Sequence, residues 1–139
     1  MKIAIVGSRK MSFYGKTVID QLLTKNFELG NNNLEIATLK VAGCNNEVVR
    51  MCQKLKLKIK VFEGKNFQKL NEQIANYADV LIVIEGGKRS GTLLLAQRFI
   101  EKGKEVWAVP GKITDENSWT SNWLIAQGAR PLIEMEMLQ

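Results

Sequence analysis

The sequence predicts an α/β fold, namely a single Rossmann-like three-layer domain over residues 1–139 with a mostly parallel sheet. Short runs of apolar residues alternate with longer segments of helical periodicity, as in a series of strand–helix crossovers. One run, Val80–Ile84, is continuously apolar, which is typical of a strand buried on both faces of a parallel sheet. The length of 139 residues and the hydrophobic fraction of 45% suit one globular domain.

The first half of the chain gives three strands and two helices. A buried strand is expected over Lys2–Val6, and the apolar residues of Tyr14–Asn26 recur at helical spacing. Gly30 and the three asparagines that follow it predict a turn before a second strand over Leu34–Leu39. A second helix is expected over Asn45–Leu55. The third strand, Lys58–Phe62, alternates lysines with apolar residues, as a strand near a sheet edge does.

The second half repeats this alternation around the most apolar run. Helical spacing of apolar residues predicts a helix over Phe67–Tyr77, before the buried strand at Val80–Ile84. Further segments complete the pattern: a helix over Gly91–Lys102, a strand over Glu105–Val109, a short helix over Ser118–Gln127 and an edge strand over Pro131–Ile133. Trp107, inside a predicted strand, is expected in the core.

Composition excludes several classes of enzyme. The chain has no histidine, so a Ser-His-Asp triad, a Cys-His pair and a histidine-ligated zinc site are all impossible. Cys44 and Cys52 are too few for a four-thiolate site, and we expect them to be small buried side chains. No metal or cofactor is expected. Because no signal peptide or membrane-length apolar run is found, a cytoplasmic protein is expected.

The first candidate ligand loop directly follows the first strand. Gly7 allows close backbone approach to a ligand, Ser8 offers a hydroxyl, and Arg9 presents planar donors that suit phosphate oxygens. Lys10 adds a second positive charge. Taken alone, the run also fits a plain strand-end turn with solvated charges, since it is not a G-x-G-x-x-G fingerprint.

The second candidate loop lies between the most buried strand and a helix. Glycines free its backbone, two cations follow, and its last residues lie where helical N–H groups are unpaired. A plain N-cap turn is the alternative interpretation. The candidate residues are Gly86, Gly87, Lys88, Arg89, Ser90, Gly91 and Thr92. Because the first and fourth strands of such sheets are commonly neighbours, we expect both loops to share one anion site.

At these loops the sequence resembles the DNA-processing protein A (DprA/Smf) family. The C-terminal run GKEVWAVPGKITDENSWTSNWLIAQGARPL is similar to the family's G-[RK]-E-V-[FW]-A-V-P-G strand and turn, followed by T-N-x-L-I-x-x-G-A. The opening IAIVGSRKMSFYGK and the segment ADVLIVIEGGKRSGTLLLA are also similar to it. Together these segments cover roughly half of the chain.

The resemblance implies a non-catalytic, cytoplasmic binder of single-stranded DNA that acts in DNA uptake and recombination. It also implies a homodimer that hands strands to a RecA-type recombinase. Its DNA-facing residues would be those of the two loops, and Asn71 would correspond to the asparagine of the family's R-N-R-x-I helix.

The chain departs from the family pattern in two places. The family's S-G-x-A-R-G-[IV]-D segment reads Thr38–Asn45 here, without its arginine and aspartate. The R-N-R run reads Leu70-Asn71-Glu72, so both flanking cations are lost. The chain is also shorter than family members that carry additional domains.

Two other functions use the same loops. A non-catalytic nucleotide sensor would need the pocket but no track for several phosphates. A nucleoside-monophosphate phosphoribohydrolase is the less favoured alternative, since the second loop resembles that group's P-G-G-x-G-T-x-x-E motif. The acid of this motif is missing here, where Leu93, Leu94 and Leu95 follow Thr92.

Aromatic side chains near the expected site favour the DNA interpretation, because bases stack on flat rings. Phe13, Tyr14, Trp119 and Trp123 are the candidates. The two tryptophans lie four residues apart on one helix face, so packing against the last strand is the alternative, and it is favoured for Trp123.

Overall fold

The computed structural model of the chain describes residues 1–30 and 33–138. Its strands are β1 (Lys2–Val6), β2 (Glu35–Leu39), β3 (Lys58–Phe62), β4 (Val80–Val83), β5 (Glu105–Ala108) and β6 (Arg130–Pro131). Its helices are α1 (Phe13–Glu28), α2 (Cys44–Leu55), α3 (Phe67–Tyr77), α4 (Thr92–Glu101) and α5 (Trp119–Ala126), with 3-10 turns at Glu116–Ser118 and Met135–Leu138. Every predicted helix and strand is therefore present. In the predicted turn after Gly30, Asn31 and Asn32 lie outside the described residues.

The strands of the described residues form one sheet in the order β3-β2-β1-β4-β5-β6. Every neighbouring pair is parallel, as crossover connections require. This is the strand order of a Rossmann fold, so the fold class predicted from the sequence is confirmed. The order reverses between β1 and β4, and β3 lies at a sheet edge as its alternating lysines predicted.

Helices cover both faces of the sheet and give two hydrophobic cores. On one face α1 and α2 pack over apolar side chains such as Ile5 and Ile36. On the other face α3, α4 and α5 pack around Ile74 and Phe99, both fully buried. Burial of such a side chain contributes about 1.5–3 kcal/mol, so the sheet is a rigid platform for the loops at its edges.

The buried residues predicted from composition lie where expected. Both Cys44 and Cys52 are free and fully buried, which confirms their interpretation as apolar core side chains. Burial raises the pKa of both thiols, that of Cys52 to about 12. Trp107 is 6% exposed, as predicted for a core residue.

An ion-pair network joins α1 to α2. Glu47 is only 6% exposed and lies 2.6 Å from the guanidinium of Arg50 and 3.4 Å from the ammonium of Lys16. Lys16 also lies 2.6 Å from Asp20. The hydrogen bond from Arg50 holds the pKa of Glu47 at about 2, whereas burial raises the pKa of Asp20. The pKa values of the Asp20 and Glu47 carboxyl groups are therefore shifted in opposite directions.

Candidate nucleic-acid interface

The strand reversal between β1 and β4 brings the two candidate loops to one cavity of about 650 Å³. Most of the predicted site residues line this cavity. They are Gly7, Ser8, Arg9, Lys10, Gly87, Arg89, Ser90, Gly91, Thr92 and Asn71. Gly86 and Lys88 are not among the lining residues, so the structure separates these two from the rest. The role of all twelve as DNA ligands stays a prediction.

The segment that precedes α2 packs against the backbone of the first loop and supports it. A Cβ atom on Gly43 would lie 2.3 Å from the carbonyl oxygen of Ser8, and Gly43 has a φ of 84°, so only glycine fits there. The N–H of Cys44 donates to that same carbonyl at 2.9 Å. The loop backbone is therefore seated directly on the start of α2.

Asn45 completes this support and lines the cavity itself. Its Oδ1 accepts a hydrogen bond from the N–H of Gly7 at 3.0 Å, and its Nδ2 donates to the carbonyl of Leu39 at 3.1 Å. Asn45 stands where the family pattern has an aspartate. Asparagine can both accept and donate, so it satisfies both main-chain groups without placing a negative charge in the cavity.

The second loop is held by the segment that leads into α5. The N–H of Gly86 donates to the carbonyl of Asn117 at 2.7 Å, and the N–H of Thr120 donates to the carbonyl of Gly86 at 2.9 Å. The hydroxyl of Thr120 donates to the carbonyl of Gly87 at 2.6 Å. Gly86 is thus a structural residue at the base of the loop.

Asn117 also reaches the first loop, because its Nδ2 donates to the carbonyl of Lys10 at 2.8 Å. The segment before α5 therefore ties both loops together. Farther along, Asn122 makes paired hydrogen bonds with the N–H and carbonyl of Gly111, at 3.1 and 3.0 Å. These contacts give the C-terminal sequence motif a structural role as the frame of the site.

Positive charge dominates the cavity. No acidic side chain is among the described residues that line it, and neither Arg9, Lys10 nor Arg89 makes an ion pair with any described residue. The N-terminus of α4 adds the positive end of a helix dipole, and its first N–H, that of Thr92, donates a hydrogen bond to the hydroxyl of Ser90 at 3.2 Å. Anionic groups are the chemistry that this arrangement favours.

Further cations lie on the side of the sheet where the cavity is, that is, at the carboxyl ends of the parallel strands. Lys65 and Lys69 follow β3, and Lys112 follows β5, so all three lie at the carboxyl ends of parallel strands, and within the described residues none of them has an ion-pair partner. Lys40, after β2, is instead paired with Glu63 at 3.0 Å. Cations without an ion-pair partner therefore follow the carboxyl ends of strands from β3 to β5, and these three lysines are not among the residues that line the cavity.

Phe67 is an aromatic residue of the cavity that sequence reasoning missed. Its ring lines the cavity, is 51% exposed, and lies 5.9 Å from the guanidinium of Arg9. The signal that could have found it is Asn71, a site residue of the family resemblance, which lies four residues later on the same helix.

The aromatic residues expected near the site have other contacts. The hydroxyl of Tyr14 donates to the carbonyl of Pro110 at 2.6 Å, whereas Phe13 is 84% exposed. Trp119 and Trp123 stack on each other with centroids 6.0 Å apart, and Trp123 packs against the core, as favoured from the sequence. Lys88 lies over the ring of Trp119 at 5.8 Å, which explains its place outside the cavity.

Glu85, the acid before the second loop, is buried and is not among the residues that line the cavity. It is 3% exposed, and its carboxylate accepts hydrogen bonds from the N–H and the hydroxyl of Ser12 at 2.8 and 2.6 Å. Both carboxylate oxygens are therefore hydrogen-bonded to the N-cap residue of α1. Because they are occupied there, Glu85 is a poor candidate for the catalytic base of a hydrolase.

Within residues 1–30 and 33–138, no group of three or more acidic or cysteine side chains is arranged to hold a metal ion. None of the helices described has the length and apolarity that a membrane crossing requires.

Comparison with known proteins gives one consistent result. A sequence model of the family described as DNA recombination-mediator protein A matches residues 56–139, which are more than half of the chain. Protein Smf of Escherichia coli is 39% identical over 71 residues, which are 51% of this chain and 19% of that protein. DNA processing protein DprA of Bacillus subtilis is 35% identical over 71 residues, again 51% of this chain and 24% of that protein. The matched segment is thus a quarter or less of these relatives.

Solved structures share the fold over nearly the whole chain. DNA processing protein A of Streptococcus pneumoniae superposes with a TM-score of 0.84 at 24% identity, covering 97% of this chain and 59% of that one. DNA processing protein A of Helicobacter pylori, studied for its single-stranded DNA binding mode, gives a TM-score of 0.77 at 17% identity, over 99% and 78%. A molybdenum cofactor binding protein of Rippkaea orientalis gives 0.69 at 14% identity, over 97% and 89%.

Proposed function

The chain belongs to the DNA recombination-mediator protein A family, and on that premise we propose that it binds single-stranded DNA without altering it chemically. In this proposal the Gly7–Lys10 and Gly86–Thr92 loops hold backbone phosphates. The protein acts in DNA uptake and recombination in the cytoplasm, as a homodimer that passes the strand to a RecA-type recombinase. The dimer and the recombinase rest on the family resemblance.

The observation that carries the proposal is the spread of unpaired cations along one edge of the sheet. Arg9, Lys10 and Arg89 border the cavity, and Lys65, Lys69 and Lys112 continue the positive charge on either side. A mononucleotide would neutralise only the centre of this surface. A strand with several phosphates would use its full length, because released counterions make each phosphate contact favourable.

The rest of the cavity suits the remainder of a nucleotide. Leu39, Val41 and Leu94 give apolar walls, and the exposed ring of Phe67 offers a face for stacking. Base stacking on an aromatic side chain is worth about 1–3 kcal/mol per base, comparable to the phosphate contacts.

A nucleotide sensor is the second candidate function, and the size of the cavity favours it. A volume of about 650 Å³ lies in the range of pockets that enclose one small molecule. The two functions differ in their dependence on strand length. A sensor would gain nothing from additional nucleotides, whereas a strand binder would gain affinity until the cationic edge is filled.

The test is a length series of oligo-dT, measured by fluorescence anisotropy at several salt concentrations. We expect affinity to rise with length and the salt slope to grow by about 0.7 per phosphate contact. Arg9→Ala and Arg89→Ala should each weaken binding and flatten the slope. Lys54→Ala is the matched control, since it removes the same charge from an exposed site at the C-terminal end of α2, at the opposite edge of the sheet.

Affinity that stays constant from one nucleotide to long strands would favour the sensor instead. Binding that Lys54→Ala weakens as much as Arg9→Ala would contradict the placement of the strand on this edge. Release of free base from a nucleoside monophosphate, abolished by Glu85→Gln, would favour the hydrolase.

A further inference from the structure

We propose that the ring of Phe13 is a stacking platform for one nucleobase of a bound strand, at the point where the strand leaves the cavity past Lys10. The inference rests on the proposed function, because it names the side on which the strand continues and the contact that it meets there. Phe13 is not among the residues that line the cavity, so this contact is separate from the candidate site of the two loops.

The first support is the exposure of the ring. Phe13 is the most exposed aromatic residue that the structure describes, at 84%, compared with 51% for Phe67 and 48% for Phe27. Among the described residues, no ring stacks on that of Phe13 and no cation lies over it. Both faces of a free ring are hydrated, which is unfavourable, and a stacked base would remove water from one of them.

The second support is the position of the ring beside the cavity. Lys10 lines the cavity, and Phe13, three residues later, is the first residue of α1 after the N-cap Ser12. Three residues of chain span at most about 10 Å, so the ring lies close to the rim of the cavity. Ser12 donates two hydrogen bonds to the buried Glu85, at 2.8 and 2.6 Å. The ring is therefore carried on a fixed helix end, which lowers the entropy lost on binding.

The loop after β5 adds a second exposed apolar side chain. The hydroxyl of Tyr14 donates to the carbonyl of Pro110 at 2.6 Å, so this loop starts beside the first turn of α1. Ile113, three residues farther along the loop, is 95% exposed. Phe13 and Ile113 are the two most exposed large apolar residues in the described part of the chain, and they lie on neighbouring segments. Exposed apolar side chains grouped beside a polar site are typical of a contact surface.

The charge around Phe13 favours a stacked base over a phosphate contact. Lys10 and Lys112 make no ion pair with a described residue, but the same is true of Asp115 and Glu116, which are exposed in the same loop as Lys112. These four charges sum to zero, unlike the charges of the cavity. A nucleotide at Phe13 would therefore gain affinity through the flat face of its base, which every base has. A strand whose phosphates are held in the cavity supplies such a base next to Lys10.

The test compares normal and abasic strands, which carry the same phosphates. Anisotropy titrations would use oligo-dT of about twelve nucleotides and an abasic oligomer of equal length. We expect Phe13→Ala to weaken binding of oligo-dT by about fivefold or more and to leave binding of the abasic strand unchanged. The slope of affinity against salt should stay the same, since no phosphate contact is lost. Phe27→Ala, which removes an exposed ring near the other end of α1, is the control.

Two further variants separate stacking from general apolar contact. Phe13→Leu keeps an apolar side chain without a flat ring, so it should weaken binding of oligo-dT much as Phe13→Ala does. Phe13→Trp keeps a ring and should retain the affinity of the wild type.

Equal losses for both strands, or a flatter salt slope, would overturn the inference, since Phe13 would then act on phosphate contacts or on the fold. Unchanged affinity of Phe13→Ala for both strands would overturn it as well. A change of oligomeric state in Phe13→Ala, measured by sedimentation, would assign the ring to a contact between protein chains instead. Wild type that binds neither strand would refute the proposed function, which is a distinct result.

Discussion

The carboxylate of Glu85 accepts two hydrogen bonds from Ser12, one from its main-chain N–H and one from its hydroxyl. Ser12 caps α1, and its hydroxyl oxygen also accepts from the N–H of Gly15 at 2.9 Å. Glu85 opens the second loop, and Ser12 closes the first. The pair therefore joins the ends of the two candidate loops to each other through the N-terminus of α1.

Gly15 gives the first prediction. A Cβ atom at this position would lie 2.5 Å from Oε2 of Glu85, so Gly15→Ala must displace the carboxylate. We expect a loss of about 1–3 kcal/mol in the free energy of unfolding, measured with urea. In a Glu85→Ala background, which removes the clashing carboxylate, Gly15→Ala should lower the free energy of unfolding much less. Gly87→Ala is the control, because its Cβ would meet nothing within 4 Å. Equal costs in both backgrounds would contradict the predicted clash.

Asn45 gives the second prediction. Asn45→Asp would place a carboxyl group against the carbonyl of Leu39, which now accepts a hydrogen bond from the Asn45 amide, and would add negative charge to the cavity. We expect Asn45→Asp to weaken binding of single-stranded DNA more than Asn45→Ala does at low salt, because the new carboxylate repels phosphate. The difference between the two variants should shrink at high salt, where charge is screened. Equal losses for both variants at every salt concentration would argue against a charge effect.

Glu47 gives the third prediction, which concerns stability. The pKa of this carboxyl is lowered to about 2 by the hydrogen bond from Arg50, so its contribution is fully present above the unfolded pKa and lost as the pH falls toward 2. We expect Glu47→Gln to reduce the free energy of unfolding by about 2 kcal/mol at pH 7 and by progressively less below about pH 4.3.

The control for this prediction is Glu63→Gln. Glu63 and its partner Lys40 are both mostly exposed, so their ion pair contributes about 0–1 kcal/mol. A stability difference for Glu47→Gln that does not shrink in acid would mean that the α1–α2 network is not the source of the effect.

The two thiols give the fourth prediction. Burial raises the pKa of Cys52 to about 12, and burial together with the nearby Glu85 raises that of Cys44. Since the thiolate is the reactive form, neither should be labelled by a thiol reagent in the native protein at pH 7. Both should react after unfolding in urea. Rapid labelling of one thiol before unfolding would show that its side of the core opens locally.

Much of the fold was predictable because each element carries its own signal. The apolar run at Val80–Ile84 marks a buried strand wherever it stands in the sheet, and the alternating lysines of Lys58–Phe62 mark an edge. The glycines and cations after β1 and β4 also lie in contiguous runs. Their convergence followed from the general rule that ligands bind where strand order reverses.

Other parts of the site depend on contacts between distant segments, which a local pattern does not reveal. Nothing in the sequence around Asn117 shows that it supports Lys10 and Gly86, because that contact depends on how the segment before α5 crosses the sheet edge. Phe67 was missed although Asn71, on the same helix, was a predicted site residue, because a single exposed aromatic residue gives no local signal of a ligand. Lys88, adjacent in sequence to Arg89, lies over Trp119 instead, in a turn that the hydrogen bond from the Ser90 N–H to the Gly87 carbonyl closes.

The sequence by itself therefore determined the α/β class, the order of elements, the two loops and the exclusion of histidine chemistry, because all of these are local or compositional properties. Tertiary structure alone decided which residues meet. It placed Asn45 beside Gly7, turned Glu85 toward α1, and brought Phe67 and Asn71 of α3 to the cavity. The physical reason is that hydrogen bonding and burial are settled by neighbours in space, and the β1–β4 pairing brings together residues that lie far apart along the chain.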